Sequence, residues 1–185
     1  LFSFKIFCKM QYKAFVVEEI DDKFVSAIKS LNIDDLPAGE VLIRVYYSSL
    51  NYKDALSATG NKGVTKKYPH TPGIDAAGVV VRSEVASFCA GEEVIVTGYD
   101  LGMNTPGGFG EYIRVPAEWV IKLPSGLTPK ESMIIGTAGF TAGISILRLM
   151  ELVKPVDGKV IVSGATGGVG SMALSMLTKK GYQKI

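Results

Sequence analysis

Cysteine and histidine are scarce in this 185-residue chain, which has two cysteines and one histidine. Cys8 and Cys89 are too few for a disulfide framework, and too few for a structural zinc site built on four thiolates. We therefore expect a reducing, cytoplasmic environment. Charge of one sign is not concentrated either, because 20 Lys and Arg against 18 Asp and Glu give a formal net charge of +2 without a long run. Nucleic acid is accordingly not expected as a partner.

Long apolar runs are missing too, since no run approaches the ~20 residues of a membrane span, so no membrane partner is predicted. Residues 1–9 contain neither a basic n-region nor a small-residue cleavage site. We interpret this segment, which precedes Met10, as a leader from upstream translation or from an expression vector. The alternative is a genuine extra strand with alternating Phe2, Phe4 and Ile6.

Glycine, by contrast, is abundant at 21 residues, and the most informative stretch is the glycine-rich segment 160–170. Residues 160–162 are a β-branched apolar run that predicts a strand buried on both faces of a parallel sheet. Residues 172–177 are good helix formers, and Gly181 is suited to end that helix. The stretch therefore predicts a strand, a glycine turn and a helix.

The glycine turn has the small residues that a dinucleotide-binding turn needs, with Ala165, Gly167 and Gly170 at the three positions. A helix beginning near Gly168 would direct unpaired N–H groups and a partial positive charge at two phosphates. Because Ala165 replaces the first glycine, the pattern depends on the strand and helix around it, and a purely structural turn is the alternative. The predicted cofactor-binding residues of the turn are Ala165, Thr166, Gly167, Gly168, Val169 and Gly170.

A β-rich half precedes an α/β half. Alternating or apolar runs separated by turn residues predict strands over residues 12–18, 24–31, 41–49, 73–82, 93–97 and 111–115. A short helix is predicted over 51–58. Thr128, Pro129 and Glu131 are typical of a helix start with a capping box, and 142–152 has a second helical pattern. We place two domains at 10–126 and 127–185.

Four motifs in order resemble the signatures of one enzyme family. They are SSLNYKDAL at 48–56, PGIDAAG at 72–78, IGTAGFTA at 135–142 and GATGGVGS at 164–171. The chain resembles the medium-chain dehydrogenase/reductase superfamily, and within it the YhdH-type quinone oxidoreductases, also called acrylyl-CoA reductases. The resemblance implies a mixed α/β fold, in which a GroES-like catalytic domain is followed by a Rossmann doubly wound parallel sheet with NADP(H) in the cleft between them. It also implies a homodimer for the full-length protein.

The resemblance bears directly on metal chemistry. In the zinc alcohol dehydrogenases of the superfamily, a cysteine and a histidine bind the catalytic zinc at the places that match Asn51 and Ile74 here. Neither residue is a zinc ligand, so no metal site is predicted. Hydride would then go to an acceptor that is already polarised, such as acrylyl-CoA, another enoyl thioester or a quinone, and positioning and hydrogen bonds would replace the metal.

Three residues are the catalytic candidates. Asn51 could hydrogen-bond a substrate carbonyl or hold the nicotinamide ribose, or it could simply be a helix N-cap. Tyr52 lines the nicotinamide by resemblance, and the alternative is an aromatic packed at a domain edge. Asp75 could take part in the chemistry or orient Asn51, with a structural hydrogen-bonding role as the favoured interpretation. Asp54, three residues after Asn51, is interpreted as a first-turn carboxylate favoured by the helix dipole.

Thr137 and Thr141 are further cofactor candidates, since their hydroxyls could reach the nicotinamide carboxamide; helix-start packing is the alternative, and the resemblance favours Thr137. His70 lies between prolines without an identifiable partner, which favours a surface or loop-packing role over a catalytic base.

The predicted cofactor domain is incomplete, because only residues 181–185 follow the predicted helix. We expect a fragment or a prematurely ended reading frame, and the choice of NADP over NAD rests on the resemblance. The predicted function is NADPH-dependent, zinc-independent reduction of an enoyl-CoA or quinone. The alternatives are a non-catalytic nucleotide-binding protein of the same fold and an inactive fragment.

Overall fold

The structure is a computed structural model that describes residues 10–185. The interpretation of residues 1–9 as a leader falls outside the described residues. The chain forms two compact units, the first ending at Met133 and the second running from Ile134 to Ile185. The domain boundary predicted at 126/127 stays a prediction.

The first unit begins with a two-stranded antiparallel hairpin. Strand β1 (Gln11–Ile20) pairs along its full length with β2 (Lys23–Asn32). The connecting residues Asp21 and Asp22 have φ values of 50° and 59°, which is the left-handed conformation that a type I′ hairpin turn requires at both central positions. The two strands predicted here are confirmed.

A five-stranded antiparallel sheet forms the body of the first unit, in the order β6-β3-β4-β5-β7. Its strands are β3 (Val41–Tyr47), β4 (Asp75–Ser83), β5 (Glu93–Thr97), β6 (Tyr112–Val115) and β7 (Ile121–Lys122), and helix α1 (Tyr52–Ala58) follows β3. Inward-facing residues of these strands form the main core, which includes Val41, Ile43, Ala76, Val80, Val94, Val96, Ile113 and Val115. The predicted β-rich half and its short helix are confirmed.

Close approach between β3 and β4 depends on one glycine. A Cβ added at Gly78 would lie 1.9 Å from the carbonyl oxygen of Arg44 on the neighbouring strand. Real side chains do not tolerate such a distance, so only glycine fits there without a backbone shift. This contact helps to set how β3 passes beside the beginning of β4, where the candidate active site lies.

His70 is buried and joins the loop before β4 to the hairpin. Its backbone exchanges two hydrogen bonds with Val17 of β1, at 2.8 and 2.9 Å, and its side chain is only 5% exposed. Burial lowers the pKa of the imidazole below its ordinary value of 6.5, although a hydrogen bond to the backbone of Gly102 and the charge of Asp100 oppose this. The loop-packing role is therefore correct and the surface role is wrong.

Helix α2 (Pro129–Leu152) begins as the sequence predicts. Thr128 and Glu131 form a capping box, in which the Glu131 N–H donates to Thr128 Oγ1 at 3.2 Å and the Thr128 N–H donates to Glu131 Oε2 at 2.9 Å. The helix breaks at Gly136, whose φ of 49° and ψ of −162° are not helical. The second helical segment thus begins just after Gly136, earlier than the predicted 142, because the glycine interrupts the helix there.

The second unit packs the end of α2 against helix α3 (Gly168–Lys179), which confirms the helix predicted after the glycine turn. Its small core consists of Ile146, Leu177 and Tyr182. The strand predicted at residues 160–162 is wrong for this structure, since no strand is formed there and Ile161 is 92% exposed. A strand needs a row of hydrogen bonds to a neighbouring strand, whereas the Val160 N–H here donates to the carbonyl of Lys184 at 2.8 Å, in a segment where the structure forms no strand.

Among residues 10–185, α2 alone is long and apolar enough, by length and composition, to cross a membrane, with a mean hydropathy of 1.5. The prediction that no apolar run approaches the length of a membrane span is therefore wrong by length and composition. Core helices of soluble proteins meet the same criteria, and the break at Gly136 interrupts this one. The prediction that the protein has no membrane partner stays a prediction.

Burial of His70 predicts a pH-dependent stability. Because burial lowers the folded-state pKa of His70 below its ordinary value of 6.5, the unfolded chain takes up the proton at a higher pH than the folded chain does. The free energy of unfolding should therefore fall as the pH drops from about 7.5 to 5.5, and His70→Gln should remove this part of the slope. Urea unfolding at several pH values measures both. Since His70 is the single histidine of the chain, equal slopes in the two proteins would contradict the prediction.

Candidate functional site

The segment between β3 and α1 runs beside the beginning of β4. Tyr47, at the end of β3, is paired with Ala77 of β4, which brings residues 48–51 next to Asp75. Ser48 Oγ donates a hydrogen bond to the backbone oxygen of Asp75 at 2.6 Å. A Cβ added at Gly108 would lie 2.3 Å from that same oxygen. The start of β4 is thus closely surrounded by backbone.

Asp75 carries a fully buried carboxylate, with no exposed surface. Its Oδ2 accepts a hydrogen bond from Ser49 Oγ and a second one, at 2.9 Å, from the side-chain amide of Asn51. A buried carboxylate needs such donors to offset its lost hydration. The structure therefore brings together two of the three catalytic candidates, Asn51 and Asp75. Their chemical roles stay predictions.

Asn51 is also the N-cap of α1, with an extended backbone at φ −127° and ψ 156°. The N-cap interpretation and the hydrogen bond to Asp75 therefore hold at the same time. An asparagine amide has two N–H donors, and Asp75 takes one of them. The orientation of the whole amide group is fixed by that bond, which is what a group that must meet a substrate atom requires.

Asp54 differs from its predicted role. It lies in the first turn of α1 as expected, but it is only 2% exposed, and its carboxylate accepts the N–H of Asn51 at 2.7 Å and the N–H of Ile74 at 2.9 Å. Burial raises the pKa of this carboxyl and the nearby Asp75 raises it further, while the bonds from Asn51 and Ile74 lower it. Specific hydrogen bonds across the fold, rather than the helix dipole alone, hold this group.

Tyr52 is the first residue of α1 and is 80% exposed. It stands directly after Asn51 but takes no part in the hydrogen-bonded cluster around Asp75. An exposed aromatic ring with a hydroxyl can stack on a ligand ring or bond to it. A contact of Tyr52 with a cofactor stays a prediction, and packing of its ring at a domain edge stays the alternative.

Ile74 directly precedes Asp75 in the chain and is buried, at 4% exposure. The side chain of Ile74 has no atom that can bind a metal. Asn51, at the other position that matches a zinc ligand in the zinc alcohol dehydrogenases, has an amide group. Within residues 10–185, no group of three or more His, Cys, Asp or Glu side chains is arranged to hold a metal ion. The groups that donate hydrogen bonds to Asp75 include the hydroxyls of Ser48 and Ser49 and the side-chain amide of Asn51.

The glycine turn belongs to the second unit. Gly164 has a φ of 63° and its carbonyl accepts the N–H of Gly167 at 2.9 Å. Gly167 is the N-cap of α3 in an extended conformation, so the helix begins at Gly168. The first N–H groups of a helix have no partner inside it, and the turn is exposed except for the half-buried Ala165 and the buried Gly170.

An open cavity of about 620 Å³ lies beside this turn and is lined by Gly164, Gly167, Gly168 and Val169, together with apolar side chains that include Leu149 and Leu177. Gly170 explains the tightness of the turn, because an added Cβ would lie 2.2 Å from the oxygen of Gly164. The geometry suits an anion held by backbone N–H groups at a helix start. Binding of a cofactor by residues 165–170 stays a prediction.

The two threonine candidates lie at the beginning of the second segment of α2. Thr137 directly follows the break at Gly136 and is half-buried. Thr141 is exposed, and its hydroxyl donates to the backbone oxygen of Thr137 at 2.8 Å, so that hydroxyl already bonds within its own helix. The neighbouring Ala138 lies against the turn, since a Cβ added at Gly168 would be 3.3 Å from Ala138 Cβ.

The sequence pattern indicates neither two serine donors of the cluster nor the second contact of Asp54. Ser48 and Ser49 belong to the motif at 48–56, but the motif alone does not predict that they donate to Asp75. Two consecutive small hydroxyl residues after a strand were the available signal for the serines. The contact from Asp54 to Ile74 joins residues 20 positions apart, which no local pattern indicates.

Comparison with known proteins shows the family to which the chain belongs. A sequence model of the alcohol dehydrogenase GroES-like domain matches residues 37–125. The probable acrylyl-CoA reductase AcuI of Escherichia coli (strain K12) is 45% identical over 174 residues, which are 94% of this chain and 54% of that protein. The chain belongs to the medium-chain dehydrogenase/reductase superfamily. The family resemblance and the mixed α/β fold class are thereby confirmed.

Other members of the superfamily extend the comparison. The putative quinone oxidoreductase YhfP of Bacillus subtilis (strain 168) is 45% identical, with 94% of this chain and 53% of that protein covered. The crystal structure of the yhdH oxidoreductase of Salmonella enterica, in complex with NADP, matches with a TM-score of 0.90 at 46% identity, over 92% of this chain and 53% of that one. Bacillus subtilis yhfP with NAD bound also gives a TM-score of 0.90, at 45% identity, over 94% of this chain and 53% of that one. The chain spans about half the length of the curated relatives it matches.

Replacement of Gly170 by alanine tests the turn. The added Cβ would meet the backbone at 2.2 Å, so we expect the second unit to lose about 1–3 kcal/mol of stability as the turn opens. Gly143→Ala in α2 is the matched control, because a Cβ there has no neighbour within 4 Å and should be neutral or stabilising by up to about 1 kcal/mol. Hydrogen exchange of the α3 amides measures both, and equal protection in the two variants would contradict the prediction.

Proposed function

We propose that the full-length protein is an NADPH-dependent oxidoreductase that reduces a conjugated acceptor, an enoyl thioester such as acrylyl-CoA or a quinone, without a catalytic metal. The observation that carries the proposal is the Asn51 amide, held by the buried Asp75 at 2.9 Å, at the place where the zinc enzymes of the superfamily have a metal ligand. Similar proteins are named acrylyl-CoA reductase and quinone oxidoreductase, which supports the acceptor class.

The cofactor proposed is NADP(H). Its pyrophosphate would meet the N–H groups at the start of α3, where Gly168, Val169 and Gly170 form the first helical residues. Backbone donors fit a pyrophosphate because they supply hydrogen bonds and partial positive charge without requiring a basic side chain. One similar structure carries NADP and another carries NAD, so the preference is tested by titrating both dinucleotides.

In the proposed reaction, the residues of this chain stabilise the charge that develops on the acceptor and position the reacting groups. The nicotinamide, when bound, supplies the hydride that is added to the electron-poor carbon of the acceptor, and a proton from solvent completes the reduction. Negative charge develops on the acceptor oxygen, and the amide N–H of Asn51 is a donor suited to stabilise it. Asp75 holds that amide in one orientation, so little reorganisation is needed when charge develops. Tyr52, exposed at the start of α1, would contact the cofactor ring.

The proposal also covers the substrate, location, oligomeric state and partners of the full-length protein. We infer a small-molecule substrate, a cytoplasmic location and a homodimer of the full-length protein, with neither nucleic acid nor a membrane as partner. The near balance of 20 basic and 18 acidic residues supports the absence of a nucleic-acid partner. Sedimentation of the full-length protein tests the dimer.

Asn51→Ala tests the function. Loss of one pre-oriented donor should lower kcat/KM for the acceptor by about 10²- to 10³-fold, while the Kd for NADPH changes little because the phosphate-binding turn is untouched. NADPH oxidation by the full-length protein, followed with acrylyl-CoA, other enoyl thioesters and quinones, measures the first, and fluorescence titration measures the second.

The matched control is Asn104→Ala, since Asn104 is an exposed loop asparagine that bonds to Asp100 and Lys66 rather than to Asp75. It should retain wild-type turnover. Binding of NADPH without turnover of any of these acceptors by the wild-type protein would contradict the proposal and favour a non-catalytic nucleotide-binding protein.

A further inference from the structure

The carboxylate of Asp54 connects two segments that are distant in sequence. One oxygen accepts the N–H of Asn51, the N-cap of α1, at 2.7 Å, and the other accepts the N–H of Ile74 at 2.9 Å. Asp54 is 2% exposed. It therefore joins the backbone of the catalytic candidate Asn51 to the residue that immediately precedes Asp75.

A second capping box in the same chain shows what capping alone requires. Glu131 accepts the N–H and the hydroxyl of Thr128 at the start of α2, and both of these partners belong to the one N-cap residue. Glu131 is exposed and its pKa is lowered by these bonds. A helix start is thus capped in this protein without burying a carboxylate and without a contact to another segment. The burial of Asp54 and its bond to Ile74 need a different explanation.

The contacts of Asp54 and Asp75 close a ring around Asn51. Asp54 holds the Asn51 backbone and the Ile74 backbone, Asp75 follows Ile74 in the chain, and Asp75 holds the Asn51 side chain at 2.9 Å. Each bond of the ring restricts the others, because the backbone of Asn51 cannot shift along β4 without breaking one of them. The position and the orientation of the amide are thereby fixed by two separate carboxylates.

We propose that Asp54 is a positioning residue of the candidate active site, which places the Asn51 amide by gripping its backbone against the start of β4. This inference rests on the proposed function. Asp54 acts through Asn51 and does not itself touch the acceptor. Burial of a carboxylate is energetically unfavourable. The benefit that offsets it here is the precise placement of the Asn51 amide as a hydrogen-bond donor.

Asp54→Asn is the variant that opens the ring with least change in shape. An asparagine side chain has one acceptor oxygen and one NH₂ group, so either the Asn51 N–H or the Ile74 N–H would face a donor. We expect kcat/KM of the full-length protein to fall by about 10²-fold, the scale of a small misplacement of a catalytic group. The Kd for NADPH should stay within about twofold, because the glycine turn is unchanged.

Glu131→Gln is the matched control, since it makes the same chemical change in the other capping box. It should cost some stability and leave kcat/KM at the wild-type value. Equal kcat/KM in Asp54→Asn and wild type would overturn the proposal, as would equal losses in Asp54→Asn and Glu131→Gln.

A readout without turnover separates this proposal from the proposed function. In ¹⁵N-labelled protein, the amide resonances of Asn51 and Ile74 should titrate together with the Asp54 carboxyl, at a midpoint above its ordinary pKa of 3.8, and Asp54→Asn should abolish both titrations. If the wild-type protein reduced no acceptor while the two amides still titrated together, the proposed function would fail and the grip on Asn51 would stand. Independent titration of the two amides would overturn the grip itself.

Discussion

The need of a buried carboxylate for hydrogen-bond donors governs the first unit of this protein. Asp75 is fully buried and Asp54 nearly so, and together their oxygens accept bonds from Ser49, Asn51 and Ile74. Satisfying these two groups brings the segment after β3, the start of α1 and the start of β4 to one place. The candidate active site is the consequence of that arrangement.

Local sequence patterns predicted the parts of the fold that depend on local chemistry. The hairpin through Asp21 and Asp22, the helix start at Thr128 and α3 after the glycine turn all follow from the residues at those positions. The strand predicted at residues 160–162 did not form. A parallel strand needs hydrogen bonds to neighbouring strands, and a local sequence pattern does not show whether those strands are present. The helical segment of α2 began earlier than predicted, since Gly136 and not the residues near 142 interrupts the helix.

The sequence predicted the main residues of the candidate site but not the hydrogen bonds between them. Asn51 and Asp75 belong to motifs that resemble signatures of the family. In the structure, Asn51 Nδ2 donates to Asp75 Oδ2 at 2.9 Å. Their bond, like the one from Asp54 to Ile74, spans more than 19 positions of the chain, so it follows from the pairing of β3 with β4 and not from local spacing. Gly78 is part of the cause, because the absence of a side chain lets β3 approach β4 closely.

In the proposed mechanism, a fixed amide takes the place of a metal ligand. Asn51 and Ile74 offer no ligand for zinc, and Asp75 orients the amide that would stabilise charge instead. The most direct test is NADPH oxidation by the full-length protein with acrylyl-CoA and with a quinone, after exhaustive dialysis against EDTA and measurement of the metal content. We predict an unchanged kcat/KM for the accepted substrate and no effect of added Zn²⁺. Loss of activity on dialysis, with recovery on addition of stoichiometric Zn²⁺, would contradict a metal-free mechanism.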